Sequence, residues 1–281
     1  MDFRERRITS RDGLSLYARD YGDPLAPRMP LLCLPGLTRN SADFARLASR
    51  LCRDRRVLCP DYRGRGRSDY DRDWRHYEPR ILLDDLANVL AATGVERAVV
   101  LGTSLGGILA MGLAVMKPMA VAGAILNDVG PAVEAQGLEQ ILRYIAADRP
   151  QPDWPTAMQF LRRTLPQLAL GSDADWLEFA RGTYREGADG ALHFDWDVAL
   201  ARPLAAATAA PDLWPLYRAL QRVPVLALRG EASDILSPAT FERMAREKPD
   251  LVRVMIPGVG HAPSLDESGA RKAIDEFLER F

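Results

Sequence analysis

Gly102-Thr103-Ser104-Leu105-Gly106 sets a serine midway between two glycines, where an apolar strand pattern, Ala98 to Leu101, gives way to a helical run, Ile108 to Met116. A serine hydroxyl is a weak nucleophile at neutral pH. Held on a sharp strand-to-helix turn, it can attack a carbonyl carbon if a base takes its proton and a third group steadies that base. The glycines suit such a turn because side chains there would collide with the helix and the neighbouring strand. A glycine-rich turn of this kind can also cradle phosphate, but the spacing here fits neither the dinucleotide fingerprint nor the P-loop, and no lysine follows.

Three histidines are available as the base. His261, in Gly258-Val259-Gly260-His261-Ala262-Pro263, follows the last strand pattern, where a glycine turn can bring an imidazole over the sheet edge. It is the expected base. His76, beside Trp74, Arg75 and Tyr77, and His193 read as surface or packing residues, with a pocket within reach of His193. The acid is expected from a loop after a strand and ahead of His261. Asp234, in Arg229-Gly230-Glu231-Ala232-Ser233-Asp234, is the favoured candidate. Asp128, in Leu126-Asn127-Asp128-Val129-Gly130-Pro131, has the same order and otherwise reads as a turn former. Two backbone N–H groups are needed to face a tetrahedral oxyanion, and Leu105 and Leu37, the latter in Pro35-Gly36-Leu37, are the candidates.

Positioning these groups requires an α/β core. Short apolar runs at 31–34, 57–59, 98–101, 121–126, 223–228 and 251–256 alternate with amphipathic stretches at about 41–52, 79–93, 105–116, 238–247 and 267–280. That alternation predicts βαβ units around a mostly parallel sheet, and residues 4–21, turning at Asp12-Gly13, predict an opening hairpin. Ser237-Pro238 gives one helix a capped start. From 131 to 222 the alternation stops, and five amphipathic stretches follow without a clear strand. The expected organisation is a core of residues 1–130 and 223–281 with a helical insertion at 131–222. Four of the five tryptophans fall in the insertion: Trp154, Trp176, Trp196 and Trp214. With Tyr144, Phe160, Phe179 and Tyr217 they read chiefly as a small core, or in part as the wall of a substrate pocket.

Composition narrows the partners. With 37 Lys and Arg against 38 Asp and Glu, the net charge of -1 argues against nucleic acid and anionic membrane as partners and favours a small molecule. Basic clusters at Arg53, Arg55, Arg56 and at Arg63, Arg65, Arg67 read as solvated faces, since acidic residues interrupt them. The start, Met1 to Ile8, lacks a secretory pattern and no run is long enough to span a bilayer, so a cytoplasmic location is expected. Cys33 and Cys59 lie in apolar runs and read as small hydrophobes, and Cys52 adds no disulfide or metal pattern.

Taken in order, these motifs resemble the α/β-hydrolase superfamily across essentially the whole chain. Leu34-Pro35-Gly36-Leu37 is similar to its oxyanion loop, and Asp61-Tyr62-Arg63-Gly64-Arg65-Gly66-Arg67-Ser68 to the turn after its next strand. The elbow at Ser104 and the Gly-x-Gly-His-x-Pro stretch at His261 complete the series. Within the superfamily the chain is most similar to capped serine esterases, enol-lactonases and carbon–carbon-bond hydrolases. Dehalogenases and epoxide hydrolases of this fold carry Asp at the nucleophile position, where this chain has Ser104. Two departures stand out: Pro35 replaces a frequent His, and Asp234 lies four residues past Gly230, with Ser233 at the family's usual acid position. The resemblance implies hydrolysis of a small-to-medium, partly apolar ester or lactone through an acyl-serine, by Ser104, His261 and Asp234, with no cofactor. It leaves room for a homo-oligomer. Cleavage of a vinylogous diketone by the same residues, or ligand binding on a scaffold with slow hydrolysis, are the alternatives.

Overall fold

Strands that are apolar on both faces can be satisfied only in the middle of a sandwich, with helices on either side. The computed structural model of the chain describes residues 3–168, 170–206 and 211–281 and has this arrangement. The opening hairpin consists of β1 (Phe3–Thr9) and β2 (Ser15–Tyr21). The alternation then runs β3 (Arg28–Leu34), α1 (Ala45–Leu51), β4 (Arg55–Asp61), α2 (Pro79–Thr93), β5 (Ala98–Thr103), α3 (Leu105–Met116) and β6 (Val121–Asn127). The segment after β6 holds α4 (Ala135–Ile145), α5 (Trp154–Thr164), α6 (Asp173–Arg181), β7 (Tyr184–Glu186), β8 (Leu192–Phe194), α7 (Ala201–Ala206) and α8 (Trp214–Arg218). β9 (Val225–Gly230), α9 (Pro238–Glu247), β10 (Val252–Ile256) and α10 (Ser268–Leu278) resume the alternation.

Eight strands form one sheet in the order β1-β2-β4-β3-β5-β6-β9-β10, antiparallel at β1/β2 and β2/β4 and parallel elsewhere. Successive residues of each inner strand feed opposite cores. Leu32, Leu34, Val100, Leu126 and Ala227 pack with α2, α3, α8 and α9, while Leu31, Cys33, Val99, Leu101 and Leu228 pack with α1 and α10. The helix starts follow local chemistry. Ser237 accepts from the Thr240 N–H ahead of Pro238, which caps α9. No helix among the described residues is long and apolar enough to cross a membrane.

The segment between β6 and β9 has its own apolar cluster, which includes Trp176, Tyr184, Phe194 and Trp196, with Trp154 against it. Trp214 and Tyr217 instead join the main core beside α3. A short antiparallel pair, β7 with β8, stands where no clear strand was expected. Three residues per strand are too few to give a legible period-two pattern. The same region reaches the core through backbone pairing: the Gly66 N–H donates to Asp195 O (3.0 Å) and the Asp197 N–H to Gly64 O (2.8 Å). Residues 169 and 207–210 of the expected insertion lie outside the described residues.

The basic clusters are divided in a way their spacing does not reveal. Arg53 and Arg67 are exposed, but Arg55, Arg56, Arg63 and Arg65 are buried, which corrects their reading as solvated faces. Arg56 donates to Asp20 (2.8 Å), and Arg63 holds Asp85, Asp12 and Asp71 (2.7, 2.7 and 2.8 Å). Asp12, Asp71 and His76 come close enough together to suggest a cation site, but Arg63 already donates to both carboxylates and supplies the positive charge.

Asp195 sits on the seam between the two parts, accepting from Asn40 Nδ2 (3.1 Å), with Arg185 Nε more distant at 3.8 Å. Burial raises its carboxyl pKa to about 7. The folded protein therefore holds this proton more tightly than the unfolded chain, and stability falls as pH rises from about 4 through 7. Asp195→Asn should remove that loss. Denaturant titrations should show the variant gaining on the order of 4 kcal/mol over the parent at pH 8 and little or nothing at pH 4. A pH-independent difference would contradict the assignment.

Candidate active site

Ser104 follows β5 directly and opens α3 with φ 53 and ψ -118, a conformation costly for any residue with a side chain. The turn is held because neighbouring positions carry no Cβ. One at Gly102 would lie 2.2 Å from the Gly106 backbone, and one at Gly106 would lie 2.0 Å from Leu34 O. The Ser104 N–H donates to Asn127 O (3.0 Å), tying the corner to the end of β6.

His261 arrives on the loop after β10. Its Nε2 stands 2.9 Å from Ser104 Oγ and its Nδ1 2.8 Å from Asp128 Oδ2. The structure thus brings Ser104 and His261 together, and it is Asp128, not Asp234, that meets the second ring nitrogen. Topology explains this correction. β6 adjoins β5 in the sheet, so the residue after β6 is next to the Ser104 corner, whereas the β9 loop starts one strand further away. Asp128 does form a turn, with φ 55, but the turn aims its buried carboxylate inward. Oδ1 accepts from the Gly230 N–H (2.8 Å), and the Asp128 N–H donates to Leu228 O (2.9 Å), locking the group between β6 and β9. Asp234 lines the cavity wall, and Gly137 at the start of α4 packs against its carbonyl.

Asn127 was not singled out by its sequence context. Buried at the end of β6, it donates to Thr103 Oγ1 (3.1 Å) and to Pro263 O (2.9 Å), fixing the histidine loop to the elbow strand. A lone asparagine at a strand end carries no signal of this role. His76 and His193 lie elsewhere, paired with Asp71 (2.9 Å) and Asp148 (2.6 Å).

A cavity of about 630 Å³ opens over Ser104 and His261, with Gly36 and Leu37 on its floor. Leu105 is the first residue of α3, so its N–H has no acceptor within the helix. The loop carrying Leu37 is clamped from behind by Tyr62 Oη, which donates to Pro35 O (3.1 Å), and by Arg65, which donates to Leu37 O. The opposite wall comes from the segment between β6 and β9. Phe179 and Tyr144 reach the cavity, while the tryptophans of that segment remain in its own core or the main one. Burial pushes the Tyr144 phenol well up, so it faces the cavity uncharged. Arg39 crosses from core to wall, donating to Asp43 (2.8 Å) and Thr183 Oγ1 (2.5 Å) and stacking 4.0 Å from the Phe179 ring centre. At the mouth, Arg46 of α1 pairs with Asp175 (2.7 Å) and Glu178 of α6 and with Asp266 (3.5 Å) beyond the histidine loop.

Similarity to known proteins agrees with this geometry. Residues 31–273 match the alpha/beta hydrolase family. The chain is 34% identical over 254 residues to the 3-hydroxybutyrate-oligomer hydrolase of Cupriavidus necator, covering 87% of this chain and 86% of that protein. It is 29% identical over 259 residues to the 2-(acetamidomethylene)succinate hydrolase of Mesorhizobium japonicum, covering 89% and 87%. Among solved structures, an alpha/beta hydrolase from Novosphingobium aromaticivorans superposes with a TM-score of 0.92 at 45% identity, over 99% of both chains. An eight-stranded sheet of this order and family-wide similarity over most of its length establish that the chain belongs to the alpha/beta hydrolase family and is a hydrolase of that superfamily.

Proposed function

We propose that the protein is a serine hydrolase that cleaves a small-to-medium, partly apolar carboxylic ester or lactone through an acyl-serine intermediate. The observation that carries this reading is the unbroken hydrogen-bonded line from Asp128 through His261 to Ser104 at the base of the cavity. Asp128 accepts from Nδ1–H, which leaves Nε2 free to act as the base. As Ser104 Oγ bonds to the substrate carbonyl carbon, its proton passes to Nε2, and the carbonyl oxygen becomes an anion facing the N–H groups of Leu37 and Leu105. Collapse breaks the bond to the leaving alcohol, which receives the proton from His261. Water then loses a proton to the same nitrogen, attacks the acyl carbon and releases the acid, returning the proton to Ser104.

Support for an ester comes also from the Cupriavidus relative, whose name points to bonds between hydroxy-acid units. Phe44, Phe179 and Ile141 give the cavity apolar surface suited to a short carbon chain.

Two outcomes check the proposal. A fluorophosphonate probe should label Ser104 and no other residue, and Ser104→Ala should abolish labelling while lowering kcat on 4-nitrophenyl butyrate by about 10⁴-fold or more. Labelling retained in that variant would contradict the nucleophile. Separately, Asp128→Asn should lower kcat by about 10³- to 10⁴-fold, whereas Asp234→Asn should leave it within about threefold of the parent. The reverse ranking would return the acid to Asp234. A panel including simple esters, a lactone and a vinylogous diketone would show which bond is cleaved, and rapid acylation followed by indefinite product retention would favour the receptor alternative.

A further inference from the structure

Arg65 lies fully buried behind the loop that carries Leu37. Its Nη1 donates to Leu37 O (2.5 Å) and its Nε to Arg63 O (3.2 Å), both neutral acceptors. Nη2 is buried with no hydrogen-bond partner among the described residues. The Tyr62 ring, with its centre 5.1 Å from the guanidinium carbon, covers one side. Asp61, an acidic neighbour, is occupied instead by the N–H groups of Ser41 (2.6 Å) and Arg67 (2.9 Å).

Arg63 and Arg56, equally part of the basic runs, meet carboxylates at 2.7 and 2.8 Å. Burying a cation with no carboxylate hydrogen-bonded to it is unfavourable, and such groups are rare unless something else requires them. Burial lowers the Arg65 pKa to about 10, which still leaves the side chain charged at neutral pH.

We infer that Arg65 is a positioning residue for the oxyanion site: it fixes the Leu37 carbonyl from behind and supplies a buried positive charge, hydrogen-bonded to no carboxylate, that favours the anion of the tetrahedral intermediate. The inference rests on the serine-hydrolase reading. Arg65 does not line the cavity, so it acts through the Leu37 loop and through its field, without touching substrate. Its charge is one hydrogen bond behind Leu37, and the oxyanion would sit one hydrogen bond in front. Acting from a buried position, a full charge at that separation favours an anion that develops in the reaction over the neutral ground state. Tyr62 provides a comparison within the same loop, since its hydroxyl holds Pro35 O without carrying charge.

The test compares Arg65→Met, Arg65→Lys and Tyr62→Phe on 4-nitrophenyl butyrate, with inhibition by a trifluoromethyl ketone that forms an anionic adduct with serine. Arg65→Met should lower kcat by about tenfold or more with KM within about twofold. Affinity for the ketone should fall by the same factor as kcat/KM, while inhibition by butyramide, a neutral ligand that forms no anion, stays unchanged. Arg65→Lys should recover part of the loss because it keeps the charge, and Tyr62→Phe should cost less than Arg65→Met. If Arg65→Met does not fold, the Lys variant must still lose kcat and ketone affinity in parallel while keeping the parental KM. Unchanged kcat in a folded Arg65 variant, or equal losses for ketone and butyramide, would overturn the inference. Parent enzyme that neither turns over the ester nor takes up the fluorophosphonate would instead mark failure of the serine-hydrolase reading, and the inference would fall with it.

Discussion

One imidazole holds the site together. His261 spans the gap between Ser104 Oγ and Asp128 Oδ2, and the three residues come from three separate strand ends, those of β5, β6 and β10. None of the three is useful alone. A hydroxyl on a strained corner gains nothing without a base, and an imidazole with a free Nδ1 has no fixed tautomer. The geometry therefore depends on a sheet that brings distant parts of the chain to the same edge, and the parallel order β5-β6-β9-β10 does so.

The surroundings of those three residues are built to keep them still. The Ser104 corner is feasible because Gly102 and Gly106 leave room for the strand and helix to meet. Asp128 is pinned by two backbone bonds to β9, and Asn127 ties the histidine loop to the elbow strand. Behind the Leu37 loop lie Tyr62 and Arg65, both from the turn after β4. Polar groups this deeply buried must be satisfied or be used. Around the catalytic line most of them are satisfied, which gives the strained corner a rigid setting. The wall opposite is different in kind. It comes from a segment with its own aromatic core and meets the main body through charged pairs such as Arg46 with Asp175 and through the backbone contacts at Gly64 and Gly66.

Much of the core was legible from the chain because two-sided burial writes continuous apolar runs in the inner strands, and all six expected strands overlap observed ones, the edge strand β10 included. The elbow was legible for a related reason: the close approach at Gly102 and Gly106 demands glycine, and the strand and helix on either side have clear periods. The acid was harder. Asp128 and Asp234 both follow strands and both precede His261, so chain order could not separate them. What decides between them is lateral position in the sheet, a long-range property that local patterns do not encode. Arg63 and Arg65 illustrate the same limit. Charge runs usually mark solvated faces, and burial of these two depends on carboxylates and carbonyls far away in sequence. The β7/β8 pair leaves no legible pattern because three-residue strands are too short to display a period.

The linkage between Asp128 and His261 is the central physical claim, and proton NMR reads it directly. An imidazole N–H held between a ring nitrogen and a buried carboxylate resonates far downfield and exchanges slowly. One such signal should appear in the parent protein, be lost in His261→Ala and in Asp128→Asn, and persist in Asp234→Asn. Absence of the signal in the parent at low temperature, or its loss on changing Asp234 with Asp128 intact, would contradict it.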